Sequence, residues 1–579
     1  MAYYVINGGK RLEGSVTISG AKNAALAIIP ACILAGESCR LENLPRIEDV
    51  HVLEQILRMM GAGVEFTPDG GMRIDPKTIS TRHVTFDMVT RMRASYYLLG
   101  AMLGRYGYAE VALPGGCQIG QRPIDQHIKG FRALGADVSI QRGIITAKAD
   151  KLVGAEIYLD VVSVGATINI MLAAVGAEGK TIISNAAKEP HVVDTANFLN
   201  MMGAQVKGAG TDVIRITGGR KLHGCTYPII PDQIEAGTYM IAAAATGGDV
   251  VINNIIPTHL EAISAKLMES GAHVVDGDDG REFFMRVSCE NRPRAVNIKT
   301  LPYPGFPTDL QQPMMAYLTK AKGNSFIVEN IFENRFNHVG ELQRMGANIV
   351  INDRTAMVEG VEKLFGAPLY ASDLRAGAAL IVAALSAEGR SEIHNIEYID
   401  RGYEYFEQKL RALGADVVYN HADYRLMSRR ALDALAEYKE VNLFLRGLVP
   451  LVGYPSTVVY YERGRRFAGK SKYPLRKMLS FAWEGVSSLT VSPLRLITRI
   501  GIVMFLVSIA MLIYFLVRYF TGHTVAGWSS LAVSIWAIGG LQLLAIGVVG
   551  EYIGKIYLET KARPRYRIET ELDDREAEL

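Results

Sequence analysis

Leu413-Gly414-Ala415-Asp416-Val417 ends the last of six copies of one pattern, in which an apolar helical stripe runs into Gly-Ala and then into a β-rich stretch. A glycine ends a helix at little steric cost because it enters the left-handed region without a β-carbon, and the Val or Ile that follows predicts a strand. The glycines, spaced 74, 68, 68, 75 and 68 residues apart, are Gly61, Gly135, Gly203, Gly271, Gly346 and Gly414. One α/β unit in six copies is therefore predicted for roughly residues 1 to 420.

Each copy also contains a second predicted helix, which is rich in small apolar residues and opens with polar groups. Helices that are apolar nearly all round lie inside a domain, and their converging N-termini would attract an anion. Caps alone also explain the Ser, Thr and Asp residues at these starts. Lys22, Arg93 and Arg375 favour an anion site. The helix dipole disfavours a positive charge at an N-terminus, so three cations there suggest that something anionic compensates them. The openings are Lys22-Asn23, Arg91 and Arg93, Ser163, Asp232 to Glu235, Thr308-Asp309, and Asp373 to Arg375.

A stretch rich in Gly and Pro, from Leu113 to Asp125, predicts a long loop. Cys117 at its tip is predicted to be exposed, and the neighbouring Arg122 favours thiolate character and reactivity. Cys32 lies in an apolar run and is interpreted as packing. Two other candidates stay ambiguous from the residues alone. Asp309 is either a base or a helix cap, and Arg401 either binds a phosphate or pairs with a surface acid.

Composition limits the function classes. The 579 residues are 49% hydrophobic and 21% charged, as in a globular protein, and a net charge of +3 gives no reason to expect nucleic acid. Five cysteines without metal-ligand spacing predict a reducing compartment and no metal site. The first ten residues have no apolar core of signal-peptide length, so this end is expected in the cytoplasm.

The C-terminal part contains two apolar stretches, 500–517 and 526–550, each long enough to cross a membrane as a helix. Lys and Arg are concentrated before the first stretch and after the second, so both ends of this hairpin are predicted to face the cytoplasm. Two buried core helices are the alternative.

Seven motifs occur in order between residue 1 and about residue 418, and together they resemble the family of UDP-N-acetylglucosamine 1-carboxyvinyltransferases, which are enolpyruvyl transferases. The motifs are Ser19-Gly20-Ala21-Lys22-Asn23-Ala24, Pro114-Gly115-Gly116-Cys117, Arg122-Pro123, Ser163-Val164-Gly165-Ala166-Thr167, Phe306-Pro307-Thr308-Asp309, Phe332-Glu333-Asn334-Arg335 and Asp400-Arg401-Gly402-Tyr403. The resemblance implies an inside-out α/β fold of six repeats in two lobes. One lobe is expected over 22–231 and the other over 1–21 with 232–418.

The resemblance also implies the chemistry. The substrates are phosphoenolpyruvate and UDP-N-acetylglucosamine, and no cofactor is expected. Cys117 matches the general acid and Asp309 the acceptor of the hydroxyl proton, and a loop carrying Cys117 would close over the cleft. Lys22, Asn23, Arg122 and Arg401 match the positions that hold phosphoenolpyruvate.

The remaining matches fall in two groups. Around the nucleotide sugar they are Asn23, Arg93, Arg122, Pro123, Ile124, Asp125, Gln126, Val161, Val162, Ser163, Val164, Asp309 and Ile331; the supporting charged and polar residues are Glu333, Arg335, Asp373 and Arg375. Gln126 departs from the apolar residue expected there in many relatives.

From about residue 421 the sequence changes. Three stretches carry a second resemblance, namely Ala422-Asp423-Tyr424-Arg425-Leu426, Asn442-Leu443-Phe444-Leu445-Arg446-Gly447 and Arg463-Gly464-Arg465-Arg466-Phe467-Ala468-Gly469-Lys470-Ser471-Lys472-Tyr473. They resemble the C-terminal part of membrane glycosyltransferases that load sugar onto polyprenyl phosphate. We expect a remnant over 419–495 and the hairpin with a basic tail over 496–579, anchored in the cytoplasmic membrane. The donor-binding half of that family is missing upstream, so the tail is expected to be inactive. The fusion is either a natural tether or a chimera, and a chimera is favoured because no linker precedes Ala422.

Three rival functions remain. One, a catalytically inactive regulatory or binding module, is opposed by the full set of charged positions. A shikimate 3-phosphate enolpyruvyl transferase shares the fold, but the Pro-Gly-Gly-Cys loop argues against it. A membrane glycosyltransferase is supported by the tail and opposed by the missing donor site. The sequence predicts no oligomeric state.

Overall fold

The computed structural model describes residues 3–68, 70–84, 93–112, 123–280 and 282–420, with isolated positions 428, 429, 432, 531, 534 and 538. Contacts divide the chain into two units, Met1–His421 and Ala422–Leu579. The predicted spans 500–517 and 526–550 lie outside the described residues, apart from 531, 534 and 538. Within the described part of the chain, every helix is too short or too polar to cross a membrane.

The described residues of the first unit form six four-stranded sheets of one design. The first two strands of each sheet are parallel, and the other pairings are antiparallel. In order across the sheets the strands are Thr226–Pro228, Cys39–Glu42, Met72–Asp75 and Gly63–Phe66; His83–Val84, Tyr108–Ala112, Ile144–Lys148 and Asp137–Gln141; Glu156–Tyr158, Lys180–Ser184, Val213–Thr217 and Gln205–Lys207; Glu13–Thr17, Asp249–Asn253, Phe283–Ser288 and His273–Asp278; Ile298–Lys299, Asn324–Val328, Thr355–Glu359 and Asn348–Asn352; and Pro368–Tyr370, Arg390–His394, Tyr3–Asn7 and Asp416–Asn420.

Each copy pairs an inner helix with an outer helix. The inner helices are buried on almost all sides because their residues are small and apolar, as predicted. The inner helices are Lys22–Ala31, Tyr97–Tyr106, Val164–Ala174, Gln233–Ala245, Thr308–Leu318 and Leu374–Ser386; the outer helices are Glu48–Met59, Asp125–Ala133, Pro190–Met201, Glu261–Ser270, Val339–Arg344 and Phe406–Ala412. Shorter helical segments are Cys32–Leu34, Pro76–Thr78, Arg93–Tyr96, Pro257–His259 and Glu397–Asp400.

The predicted glycine caps are confirmed. Gly61, Gly135, Gly203, Gly271, Gly346 and Gly414 follow the six outer helices with φ of 95°, 92°, 100°, 103°, 96° and 87°. This left-handed conformation lets the chain turn directly from the helix into the next strand. The prediction of six α/β copies therefore holds for the described residues.

The copies are not all continuous in sequence, which the repeat did not predict. Strand Tyr3–Asn7 completes the last sheet, Glu13–Thr17 opens the fourth, and Thr226–Pro228 opens the first. These exchanges produce two hydrophobic cores. One contains buried residues between 21 and 229, and the other contains residues 4–18 together with 234–417.

Two adjacent segments, 19–22 and 230–233, connect the cores. The Ala21 amide donates to Ile230 O (2.7 Å), and the Asp232 amide donates to Ser19 O (2.9 Å). At Gly20 a β-carbon would lie 1.7 Å from Asn43 O, so only glycine fits. This paired linker sets the positions of the helices that start at Lys22 and Gln233.

Candidate active site

Asp309 lies between two guanidinium groups at the start of its inner helix. Arg335 Nη2 is 2.6 Å from Asp309 Oδ1, and Arg375 donates to Oδ2 from Nε (3.2 Å) and Nη2 (3.0 Å). The arginine side chains are only 3% and 5% exposed, whereas Asp309 is 27% exposed. The two cations stabilise the ionised carboxylate and leave part of it open to an incoming molecule.

Arg375 is fixed by its own helix. Asp373 caps this helix and accepts from the Arg375 and Ala376 amides (2.9 and 3.0 Å). The Arg375 guanidinium also lies 5.5 Å from the centre of the Tyr403 ring. Burial opposes the charge of Arg375, but Asp309, Tyr403 and Asp232 together outweigh that effect, so the pKa of Arg375 is raised.

A second cluster of charged residues forms around Asp49. Lys22 Nζ is 2.7 Å from Asp49 Oδ2, and Arg401 Nε is 2.9 Å from Asp49 Oδ1. Burial opposes ionisation of Asp49, but the charges and hydrogen bonds of Lys22 and Arg401 together outweigh it, and the pKa of Asp49 is lowered. Asp49 therefore holds an ammonium and a guanidinium group together at the start of two helices.

The two clusters are close enough to interact. Burial lowers the pKa of Lys22, and the charges of Arg401 and Arg375 lower it further, against the opposing effect of Asp49. His191 lies within reach of Asp232 and Asp309, which raise its pKa, but loss of hydration dominates and lowers the pKa of His191 to about 4. The structure therefore concentrates cations and a neutral histidine beside Asp309.

The sequence predicted that something anionic compensates the cations at the helix starts. In the structure two protein carboxylates do so, because Asp49 pairs with Lys22 and Asp309 pairs with Arg375. An anionic ligand at this place would have to compete with these carboxylates or join them. From the sequence, Arg401 either binds a phosphate or pairs with an acidic side chain. In the structure Arg401 is half-buried and pairs with Asp49.

The linker borders a small cleft with polar walls. Asn23, His191, Asp232 and His259 line it together with apolar residues of the linker. The side chain of Asp232 caps the helix Gln233–Ala245 and also accepts from the Lys22 amide (3.0 Å). Asn23 thus lies at the same helix start as Lys22, as its motif predicted.

Two of the segments assigned to the nucleotide sugar are joined by side chains. Gln126 Nε2 donates to Asp160 Oδ2 (3.1 Å), and the Asp160 amide donates to Gln126 Oε1 (3.0 Å). Gln126 is 5% exposed, and Lys129 Nζ lies 2.7 Å from Asp160 Oδ1. The residue that departs from the expected apolar type therefore ties the segment 123–126 to Asp160, which directly precedes the segment 161–164.

The other residues of these segments are placed around this connection. Ser163 caps the helix Val164–Ala174 by accepting from the Ala166 amide (3.3 Å). Asp125 begins the helix Asp125–Ala133. Several neighbours are exposed or half-buried and so accessible to a ligand: Pro123, Ile124, Asp125, Val161, Val162 and Val164.

The three candidate residues of the segment 331–335 have different surroundings. Ile331 is half-buried and is held through its backbone, whereas Arg335 points to Asp309. Glu333 instead forms an exposed ion pair with Arg354 (3.3 Å), so the described contacts do not bring it into the Asp309 cluster.

Some predicted residues cannot be placed. Cys117 and Arg122 lie outside the described residues, and the structure describes only the backbone of Arg93, in the turn Arg93–Tyr96. Cys32 is fully buried, which confirms its interpretation as a packing residue.

Asp49 is a site residue that sequence reasoning missed. It stands in the first turn of an amphipathic outer helix, where an acidic residue is explained by the helix dipole alone. Its partner Arg401 is 352 positions away in the chain. Only folding brings them together, so the local pattern contains no signal for this contact.

The comparisons with known proteins agree with this fold and site. The family model described as EPSP synthase (3-phosphoshikimate 1-carboxyvinyltransferase) matches residues 6–410. The enolpyruvyl transferase NikO from Streptomyces tendae is 27% identical with a TM-score of 0.65, and the match covers 73% of this chain and 99% of NikO. EPSP synthase from Acinetobacter baumannii, at 20% identity and a TM-score of 0.58, covers 73% and 100% and shows the fold alone. Fold and site thus define an enolpyruvyl transferase.

A nearer relative narrows the assignment. UDP-N-acetylglucosamine 1-carboxyvinyltransferase from Clostridium botulinum is 58% identical over 419 residues, which are 72% of this chain and 100% of the relative. The chain belongs to the enolpyruvyl transferase family and, within it, to the UDP-N-acetylglucosamine 1-carboxyvinyltransferases. The predicted enzyme class and family are confirmed for this part of the chain.

Proposed function

We propose that the chain transfers the enolpyruvyl group of phosphoenolpyruvate to the 3-hydroxyl of UDP-N-acetylglucosamine and releases phosphate, the first committed step of peptidoglycan synthesis. The observation that carries this proposal is the Asp309 carboxylate, held by two buried arginines and partly open to solvent beside a second cluster of cations. Both substrates are anions, and forked guanidinium groups suit phosphate and carboxylate.

The proposed reaction has two steps. In the addition, the Cys117 thiol gives a proton to the methylene carbon of phosphoenolpyruvate while the sugar oxygen bonds to the neighbouring carbon. Asp309 takes the proton of that hydroxyl. In the elimination, the new methyl group returns a proton to the Cys117 thiolate, the carbon–oxygen bond to phosphate breaks, phosphate leaves, and the enol ether forms.

The geometry supports Asp309 as the proton acceptor. A base must be ionised before the reaction, and the contacts to Arg335 and Arg375 stabilise that state. An ionised carboxylate has about four acceptor positions, so it can hold arginines and a substrate hydroxyl together. Lys22 and Arg401 are proposed to hold phosphoenolpyruvate, which would then share them with Asp49.

The division of labour between lobes is part of the proposal. We expect 22–231 to supply the nucleotide-contacting segments and 1–21 with 232–418 to supply Asp309, Arg375 and Arg401. Two structural facts support it: the separate hydrophobic cores and the linker between them.

For the C-terminal part we retain the glycosyltransferase-like remnant and the two spans as a proposal. The support is sequence alone, namely the length of the apolar stretches and the basic residues that flank them. In this proposal the enzyme works in the cytoplasm and the hairpin anchors the chain to the membrane.

Phosphate release from phosphoenolpyruvate, with UDP-N-acetylglucosamine as acceptor, tests the function. The wild-type chain should release phosphate, and Cys117→Ala should abolish release, while Cys289→Ala, which removes a buried thiol elsewhere, should leave it unchanged. Asp309→Asn should lower kcat by about 10²- to 10⁴-fold, as for loss of a general base. Release with shikimate 3-phosphate but not with the nucleotide sugar would favour the rival enzyme.

A further inference from the structure

Glu329 is a buried carboxylate that follows the strand Asn324–Val328. Its side chain is 1% exposed and accepts four hydrogen bonds. Oε1 accepts from the Ile331 amide (2.8 Å), the Phe332 amide (3.2 Å) and Thr300 Oγ1 (2.9 Å). Oε2 accepts from Thr308 Oγ1 (2.9 Å). These donors compensate the loss of hydration that a buried carboxylate suffers.

The bonds of Glu329 lead to both members of the Asp309–Arg335 pair. Thr308 directly precedes Asp309 in the first turn of the inner helix. The Ile331 and Phe332 amides begin the short segment that ends at Arg335, and Arg335 returns to Asp309 (2.6 Å) and to Thr308 O (3.4 Å). The contacts therefore close a ring through Glu329, Thr308, Asp309 and Arg335.

A simpler role for Glu329 would be to stabilise the local turn. That role needs only Oε1, which binds both turn amides. It does not explain why Oε2 reaches a hydroxyl on another element, next to the carboxylate of the site. The hydrogen bond from Thr308 to Oε2 therefore indicates that Glu329 does more than stabilise the turn.

We propose that Glu329 is a positioning residue that holds Asp309 and Arg335 in register for proton transfer and places Ile331 at the same time. The inference rests on the proposed function, in which Asp309 accepts the hydroxyl proton. Loss of the Oε2 contact should disturb the geometry of Asp309, whereas loss of Oε1 contacts should disturb the segment from Ile331 to Arg335.

Three variants of the full chain separate these contacts. Glu329→Ala should lower kcat by about 10²-fold, the size expected when a catalytic group is misplaced by about 1 Å. Glu329→Gln should stay within about threefold of wild type, because its oxygen keeps the turn amides and its NH₂ group can donate to Thr308. Thr308→Val removes only the hydroxyl and should lower kcat by about tenfold, with the KM for phosphoenolpyruvate unchanged.

Ser325→Ala is the matched control. Ser325 is a buried hydroxyl on the strand that precedes Glu329, and it accepts from the Val296 amide (3.2 Å), away from Asp309. Its loss should lower Tm without changing kcat. If Glu329→Ala and Thr308→Val behave like Ser325→Ala, with lower Tm and wild-type kcat, the positioning role is refuted.

Hydrogen exchange provides a readout that does not depend on turnover. The Ile331 and Phe332 amides should be protected in the wild-type chain and in Glu329→Gln, and should exchange much faster in Glu329→Ala. If the wild-type chain releases no phosphate, the proposed function fails on its own. Unchanged protection in Glu329→Ala would overturn the role of Glu329 whatever the activity.

Discussion

The ammonium group of Lys22 lies 2.7 Å from the carboxylate of Asp49, and this buried pair joins the starts of an inner and an outer helix. Arg401, which follows the short helix Glu397–Asp400, reaches the same carboxylate at 2.9 Å. The sequence suggested an anionic ligand near the cations at the helix starts. In the structure Asp49 occupies such a place, because it lies between Lys22 and Arg401. A phosphate or carboxylate bound there would meet groups that the fold has already brought together.

Asp49→Asn should lower the free energy of unfolding by about 3 kcal/mol, because removal of one partner leaves buried charges uncompensated. Phosphoenolpyruvate should restore part of this loss, since its anionic groups would replace the carboxylate. Urea unfolding with and without phosphoenolpyruvate measures both effects. Asp249→Asn, which breaks an exposed pair with Arg286, is the control and should change stability little. Equal unfolding of wild type and Asp49→Asn would contradict the expectation.

Glu235 should make stability depend on pH. Burial raises the pKa of Glu235 to about 7, although Lys409 lies 2.6 Å away and opposes the shift. The folded state thus keeps a proton that the unfolded state, with the ordinary value of 4.5, has lost. The proton retained on Glu235 therefore stabilises the folded state fully below pH 4.5. This stabilisation is lost as the pH rises through about 7.

Glu235→Gln removes this titration. The stability difference between wild type and Glu235→Gln should therefore change by about 3 kcal/mol between pH 4.5 and pH 7.5, in the direction that disfavours wild type at the higher pH. Denaturant unfolding at several pH values measures it. A difference that stays constant with pH would show that Glu235 is ionised throughout.

Gln126→Leu should weaken binding of the nucleotide sugar. The change removes both hydrogen bonds to Asp160, which precedes the segment 161–164 that we propose contacts the nucleotide sugar, and we expect the KM for UDP-N-acetylglucosamine to rise by about tenfold. The KM for phosphoenolpyruvate should not change, because the Lys22 and Arg401 cluster is untouched. Steady-state kinetics with each substrate varied in turn tests this. A lower KM for the nucleotide sugar would mean that an apolar residue serves better here.

Shortening the chain should locate the end of the enzyme. A chain that ends after Asn420 should fold and release phosphate, because it keeps the strand Asp416–Asn420, which pairs with Tyr3–Asn7 in the last sheet. A chain that ends after Gly414 loses this strand and exposes the core around Val417, so it should unfold at lower denaturant. Circular dichroism and the phosphate assay compare the two. Loss of activity in the longer form would assign a role to residues after 420.

The fold was largely readable from sequence because its signals are local. A glycine such as Gly414 predicts a left-handed backbone conformation at its own position. The small apolar residues after Lys22 predict a helix that is buried on all sides. The exchange of strands was not readable from the repeat pattern, and only the family resemblance grouped 1–21 with 232–418. Tyr3–Asn7 pairs with Arg390–His394, and nothing near residue 3 distinguishes this partner from the strands that follow it in sequence.

For the candidate site, motifs identified Lys22, Asp309, Arg375 and Arg401, but not which residues they contact. The alternatives for Asp309 show the limit, since a carboxylate in the first turn of a helix fits a capping role and a catalytic role equally. Its two arginine partners lie 26 and 66 positions away, and their convergence decides in favour of a charged site.

The sequence by itself determined the six α/β copies, the cations at the starts of the inner helices and the family resemblance, because each depends on residues close together in the chain. Only the tertiary structure decided that Asp49 joins Lys22 to Arg401, that Gln126 binds Asp160, and that Glu329 connects Thr308 to the segment before Arg335. These contacts depend on how the lobes and repeats pack, and that packing results from many burial and hydrogen-bond terms distributed over the whole chain rather than from any one motif.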